Sequence, residues 1–251
     1  MKELLDLAVG LAEQAALGIN KIRAGGFEVV TKNDSTPVTV ADQQAEALIN
    51  AGLRAATPDI PVIAEEEVAA GVVTAPASCY WLVDPLDGTR EFAAGRDEFA
   101  VCIGLVRQGV PVLGVVASPA LGEVHYGWVG HGAWRRKAGL EQKIACRTAP
   151  QEGLTVFASR HYQDTPELQA YLAKHKVAHL TNIGSALKFL RLAEGVADFY
   201  PRLGTTMEWD TAAAQAILVA AGGAVLTADG KPLDYGKPGW RNPPFFAWGK
   251  Q

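Results

Sequence analysis

Cysteine is scarce in this chain. The three, Cys79, Cys102 and Cys146, lie far apart in 251 residues and form no CxxC pair. That excludes a disulfide-stapled scaffold and a cysteine-based zinc framework, and it predicts reduced thiols in a cytoplasmic protein. No run of about 18 apolar residues is long enough to cross a bilayer. The richest segment, Ala212–Ala221, is short and broken by Gln215. The opening Met1-Lys2-Glu3-Leu4-Leu5-Asp6 lacks the cationic-then-apolar order of a signal peptide, so cytoplasmic location is expected. Loose association with the inner membrane stays open. A long basic stretch is also missing, and the formal charge is −4, which argues against a nucleic-acid polymer as principal partner. Repeats, low-complexity tracts and linkers are absent as well.

What is present is an ordinary globular mix, 49% hydrophobic and 20% charged, which excludes disorder as the main state. The length suits a single unit over residues 1–251, with halves of about 1–150 and 151–251. Helical spacing from Leu4 to Ile19 predicts a first helix to about Ile22. Thr39 offers an N-cap to a second, closed by Thr57-Pro58. Strands are expected at Pro61–Ala64 and Tyr80–Val83. A hairpin of Phe99–Val106 and Val110–Ala117 follows, with a strand at Glu123–Trp128 after it. Beyond Leu154–Ser159, helices near Thr165–Lys174, Ser185–Glu194 and Asp210–Ala221 alternate with strands at Ala197–Tyr200 and Ala224–Leu226. Such mixed runs predict a layered α+β fold.

Carboxylates at the ends of apolar strands carry the chemistry. Ile63-Ala64-Glu65 and Leu82-Val83-Asp84 both run from buried-type residues into an anion, which must be solvated, paired or metal-bound. In Asp84-Pro85-Leu86-Asp87-Gly88-Thr89, Pro85 fixes φ and Gly88 permits a tight turn. Both aspartates and the Leu86 carbonyl can then converge as three hard oxygens suited to Mg²⁺. A plain turn would use the same residue types. Asp210 alone reads equally as the N-cap of the Ala-rich helix, and Glu65-Glu66-Glu67 as a solvated patch.

Together these segments resemble the lithium-sensitive, magnesium-dependent phosphomonoesterases of the inositol monophosphatase superfamily. The likeness rests on Trp81-Leu82-Val83-Asp84-Pro85-Leu86-Asp87-Gly88-Thr89 and Glu208-Trp209-Asp210-Thr211-Ala212-Ala213. Glu65-Glu66 and Thr39-Val40-Ala41-Asp42 fall in the same order. The resemblance implies a layered α/β/α/β/α sandwich. It also implies a first Mg²⁺ on Glu65, Asp84 and the Leu86 carbonyl, and a second on Asp84, Asp87 and Asp210. A third, looser ion near Glu65 is allowed, and Li⁺ inhibits. Asp42 and Thr89, with Glu65, would orient and deprotonate the attacking water, and the N–H groups of Gly88 and Thr89 would hold phosphate oxygens.

Within the superfamily the likeness is to the bacterial 3′(2′),5′-bisphosphate nucleotidases. It runs through Lys32-x-Asp34-x-x-Pro37-Val38-Thr39-x-Ala41-Asp42, Ile183-Gly184-Ser185-Ala186-Leu187-Lys188-Phe189 and Tyr200-Pro201-Arg202-Leu203-Gly204. It implies a small nucleotide bisphosphate as substrate, contacted by Gly88, Thr89, Ser185, Lys188, Arg202, Asp210 and His161, in a monomer or homodimer. Arg90, where lysine is the commoner residue, and the variable Met207-Glu208 depart from the pattern. Ser185 would cap the helix Ser185–Glu194 and put Lys188 in its first turn. A cation there opposes the helix dipole unless it reaches solvent or an anion sits at the same end.

Overall fold

The structure is a computed structural model that describes residues 1–31, 37–75, 77–160 and 165–250. The sequence motif at Lys32 and Asp34 and the candidate His161 lie outside the described residues. Seven α-helices are described: α1 (Lys2–Gly25), α2 (Val40–Ala56), α3 (Glu65–Ala69), α4 (Thr89–Ala93), α5 (Pro166–Leu172), α6 (Leu187–Ala193) and α7 (Ala212–Ala220). None is long and apolar enough to cross a membrane.

The central layer is a seven-stranded sheet. Its strands in spatial order are Val62–Ala64, Cys79–Asp87, Ala100–Arg107, Val110–Ser118, Glu123–Trp128, Gly132–Lys137 and Leu140–Ile144. The first pair is parallel and every later pair antiparallel. Its middle strands read as nearly unbroken apolar runs because both faces are covered. Trp81, Val83, Val101, Ile103 and Leu105 pack on the side of α1 and α2, and Tyr80, Leu82, Cys102 and Val116 on the side of α6 and α7. Beyond α6 and α7 lies a five-stranded sheet ordered Val177–Asn182, Leu154–Ala158, Phe199–Arg202, Phe245–Trp248, Ala224–Thr227. Leu168 and Leu172 of α5 pack on its outer face against Val156, Phe199 and Phe246. The five layers expected from the resemblance are all present.

The N-cap expected at Thr39 is a capping box. Thr39 N–H donates to Asp42 Oδ2 at 2.7 Å, and Thr39 Oγ1 accepts from Ala41 N–H at 3.1 Å. The helix expected over Ser185–Glu194 is shorter, Leu187–Ala193, and Ser185 reaches it from one residue before the N-cap, its Oγ accepting the Leu187 N–H at 3.4 Å. Ala186 occupies the N-cap position, while Ser185 sits before it with φ +52°, a left-handed conformation that cannot begin a helix.

Helix α7 approaches the large sheet unusually closely, over a pair of glycines. Gly104 and Gly114 face each other on neighbouring strands. A Cβ on Gly104 would lie 2.8 Å from Ala213 N, and one on Gly114 would lie 1.9 Å from Ala213 O. The start of α7 therefore sits within two residues of the Asp84–Cys102 pair along the sheet. Gly114→Ala should force α7 outward; overpacking of this kind costs about 1–3 kcal/mol, or about 2–12 °C in Tm for a chain of this size. A thermal melt checks this, and an unchanged Tm would contradict the close approach.

Candidate active site

The strand Cys79–Asp87 does not end in a plain turn. Asp84 pairs with Cys102 and Asp87 with Ala100, so the chain carries an extra residue between them and bulges. Asp84 Oδ1 accepts the Leu86 N–H at 2.9 Å, which fixes the bulge from inside. Gly88 follows with φ +95°, and a Cβ there would meet Glu98 O at 2.8 Å, so only glycine fits. Thr89 then opens α4. Its hydroxyl lies 3.1 Å from both Asp42 Oδ1 and the Leu86 carbonyl, placing its single proton between them.

Folding brings Glu65, Asp84 and Asp210 together, with one carboxylate oxygen of each within 4.8 Å of the others. Three elements deliver them: Glu65 is the first residue of α3, Asp84 sits at the bulge of the strand Cys79–Asp87, and Asp210 lies in the turn before α7. Asp210 does not cap α7. Its Oδ2 accepts the Met207 N–H at 2.9 Å, bracing the preceding turn instead. Asp87 lies beside this trio and accepts the Ala186 N–H.

The electrostatics of this group are unfavourable without a cation. Burial, and then repulsion from Glu65, Asp87 and Asp210, pushes the Asp84 carboxyl well above the usual carboxylate range. Burial with Asp87 and Glu65 does the same to Asp210. Asp87 is raised to about 6 by burial, against the pull of Lys188 and Arg202. Clustered buried carboxylates of this kind, together with the Leu86 carbonyl, form a hard-oxygen set that fits Mg²⁺.

The cavity enclosed by these groups has a volume of about 340 Å³. Besides the carboxylates it is lined by Gly88, Thr89, Ser185, Lys188 and Arg202. Of the candidate substrate residues, all described ones therefore face one space. Lys188 is not a solvated surface charge: it is 3% exposed, its Nζ donates to the Ser185 and Ile183 carbonyls at 2.6 and 3.2 Å, and it lies over the Tyr200 ring. Burial lowers its pKa to about 8, with Asp87 opposing. Arg202 belongs to the strand Phe199–Arg202 rather than following it, and its guanidinium donates to the Gly204 and Thr205 carbonyls.

Several supporting residues escaped the sequence reading. Glu98 joins Arg160 and accepts the Gly184 N–H, and Glu91 packs where a Gly184 side chain would stand. Glu208, in the stretch that departs from the nucleotidase pattern, is fully buried. It accepts the N–H groups of Gly236 and Lys237 and pairs with Lys237 Nζ at 2.8 Å, anchoring the turn that carries Asp210. Of the Glu65-Glu66-Glu67 run, Glu67 is engaged by Arg54, so that run is no simple solvated patch.

Residues 1–245 match the inositol monophosphatase family. The chain belongs to that family. Members are generally magnesium-dependent, in keeping with the carboxylate set. The chain is 45% identical over 234 residues to the 3′(2′),5′-bisphosphate nucleotidase CysQ of Salmonella typhimurium, covering 92% of this chain and 94% of that one. It is 41% identical to the enzyme of the same name from Buchnera aphidicola over 237 residues, 93% of this chain and 88% of that one. The crystal structure of CysQ from Bacteroides thetaiotaomicron superposes with a TM-score of 0.83 at 33% identity, covering 99% and 98% of the two chains. An inositol monophosphatase from Zymomonas mobilis gives 0.82 at 25% identity, covering 100% and 94%.

Metal binding should displace protons from this site, because a carboxylate ligand must be ionised to coordinate. Asp87 at about 6, and Asp84 and Asp210 well above the ordinary range, are increasingly protonated as pH falls. Mg²⁺ affinity should therefore weaken from pH 8 to pH 6, with more protons released per ion at pH 6. Calorimetry in two buffers of different ionisation enthalpy reads both quantities; a pH-independent affinity would show the carboxylates ionised throughout.

Proposed function

We propose that this protein is a magnesium-dependent phosphatase that removes the 3′-phosphate of adenosine 3′,5′-bisphosphate, leaving AMP. The observation that carries the reading is one cavity lined by two unlike sets of side chains: a cluster of carboxylates, and the cations Lys188, buried, and Arg202, half-buried. A monophosphate needs only the first. A bisphosphate uses both.

Glu65, Asp84 and the Leu86 carbonyl would hold one Mg²⁺, and Asp84, Asp87 and Asp210 a second, with room near Glu65 for a third. When bound, these ions neutralise the phosphate monoester and polarise the attacking water. Asp42 accepts hydrogen bonds from Thr39 Oγ1 at 2.7 Å and from Thr89, which stands between its buried carboxylate and the cavity it lines. Burial raises the Asp42 pKa, and the Thr39 and Thr89 bonds restrain it, giving a base closer to neutrality than a free aspartate. In this reading Thr89 Oγ passes the orientation on to the water, and Asp42 takes its proton. The N–H groups of Gly88 and Thr89 bind the scissile phosphate. Lys188 and Arg202, with Ser185 shaping the loop between them, bind the 5′-phosphate that stays on the product.

Lys188→Met keeps the aliphatic stem and removes the charge. A charge-assisted contact is worth about 1.5–3 kcal/mol, so kcat/KM for adenosine 3′,5′-bisphosphate should fall about 10- to 150-fold. Hydrolysis of 3′-AMP or inositol 1-phosphate should barely change. Phosphate release from the three substrates at one Mg²⁺ concentration is the measurement, and an equal loss on all three would contradict a role in distal phosphate binding. Li⁺ at millimolar concentration should inhibit the wild type by occupying a metal position after the chemical step; activity indifferent to Li⁺ at fixed Mg²⁺ would count against that step.

A further inference from the structure

Glu46 stands on the inward face of α2, one helical turn after Asp42, and is 4% exposed. Its two carboxylate oxygens accept consecutive backbone N–H groups from the next helix, Glu66 N at 2.7 Å and Glu67 N at 2.8 Å. These are donors of the first turn of α3, whose opening residue is Glu65. Every helix leaves such N–H groups without intrahelical partners, and Ala64, at the N-cap of α3, has no side-chain oxygen to meet them. The cap is supplied from another helix.

A buried anion is a costly way to make two hydrogen bonds. Burial pushes the Glu46 carboxyl up to about 7 against the two N–H groups, and Glu66 and Glu67 add repulsion. Glutamine would avoid the charge, but its amide offers one acceptor and would turn N–H donors toward the second amide. What distinguishes the carboxylate is therefore geometric: two equivalent acceptors that fix both N–H groups at once. Through α2 the same helix carries Asp42, and through α3 it sets the start of Glu65. The two arms of the site are joined at this point. A second bridge, Arg54 to Glu67 at 2.8 and 2.6 Å, lies on the exposed flank of the same pair of helices.

We infer that Glu46 is a positioning residue that holds Glu65 in place relative to Asp42 and Thr89 by capping α3. This rests on the proposed role of Glu65 as a metal ligand. Groups that orient metal ligands typically affect metal affinity about 10- to 100-fold when removed. Glu46 touches neither the cavity nor substrate, so the affinity of the site for metal should respond and the affinity for substrate should not.

The test uses the full-length protein without substrate. Mg²⁺ binding is measured by calorimetry on wild type, Glu46→Gln, Glu67→Gln and Asp84→Asn, with thermal melts to establish folding. Glu46→Gln should bind Mg²⁺ about 10- to 100-fold more weakly. Glu67→Gln, which weakens the Glu67 side chain's contacts with Arg54 and Asn50 but keeps the backbone N–H that Glu46 accepts, should stay within about twofold. In turnover, Glu46→Gln should raise the half-saturating Mg²⁺ concentration while the substrate KM at saturating metal holds. A folded Glu46→Gln with wild-type Mg²⁺ affinity overturns the inference. If that variant fails to fold, hydrogen exchange on the wild type decides: by reciprocity, Mg²⁺ should slow exchange of the Glu66 and Glu67 amides, and no slowing overturns the inference. Wild-type affinity in Asp84→Asn would instead overturn the proposed metal site itself, and the inference with it.

Discussion

Carboxylates that repel one another are held within reach of a common point, and the rest of the molecule is arranged around that arrangement. Asp84 lies at the bulge of a buried strand in the large sheet, where the neighbouring carboxylates Glu65, Asp87 and Asp210 all oppose its ionisation. Bringing such groups together opposes folding. The fold answers with non-covalent supports: a bulge closed by the Leu86 N–H, a glycine pair that lets α7 settle on the sheet, and the buried Glu208 paired with Lys237 behind the Asp210 turn. The first constrains Asp84, and the other two constrain Asp210.

The same carboxylates hold the loop that closes the site. The loop 183–186 is drawn in by Asp87, Glu98 and Lys188 at once, through the Ala186 and Gly184 N–H groups and the Ile183 and Ser185 carbonyls. Ser185 is left in a strained left-handed conformation, a cost sustained only because these contacts over-determine the loop. The result is a cavity lined by clustered carboxylates and by the cations Lys188 and Arg202, which suits a ligand with more than one phosphate.

Much of this was legible in the sequence. Short-range chemistry speaks plainly: Gly88 marks the tight turn after Asp87, Thr39 marks the start of α2, and the apolar runs mark strands. What the sequence could not convey depends on tertiary approach. Lys188 read as a charge at the wrong end of a helix, and only the fold shows it buried against carbonyls and an aromatic ring. Ser185 has the composition of a cap, yet the loop geometry moves the helix start past it. Glu46 was concealed differently. It recurs four residues after Asp42, on the stripe of Ala41, Ala45, Ile49 and Leu53, where an apolar side chain would be expected. A carboxylate in that stripe was the available signal.

The central claim is that Glu65, Asp84 and Asp210 converge to hold divalent cations. Crystals grown with Mn²⁺, a divalent ion with the same preference for oxygen ligands and a measurable anomalous signal, test it most directly. The account predicts anomalous peaks bridged by the Asp84 carboxylate, at oxygen distances near the roughly 2.1 Å of a small hard cation. Anomalous maps with no peak among these carboxylates, from crystals saturated with the ion, would contradict it.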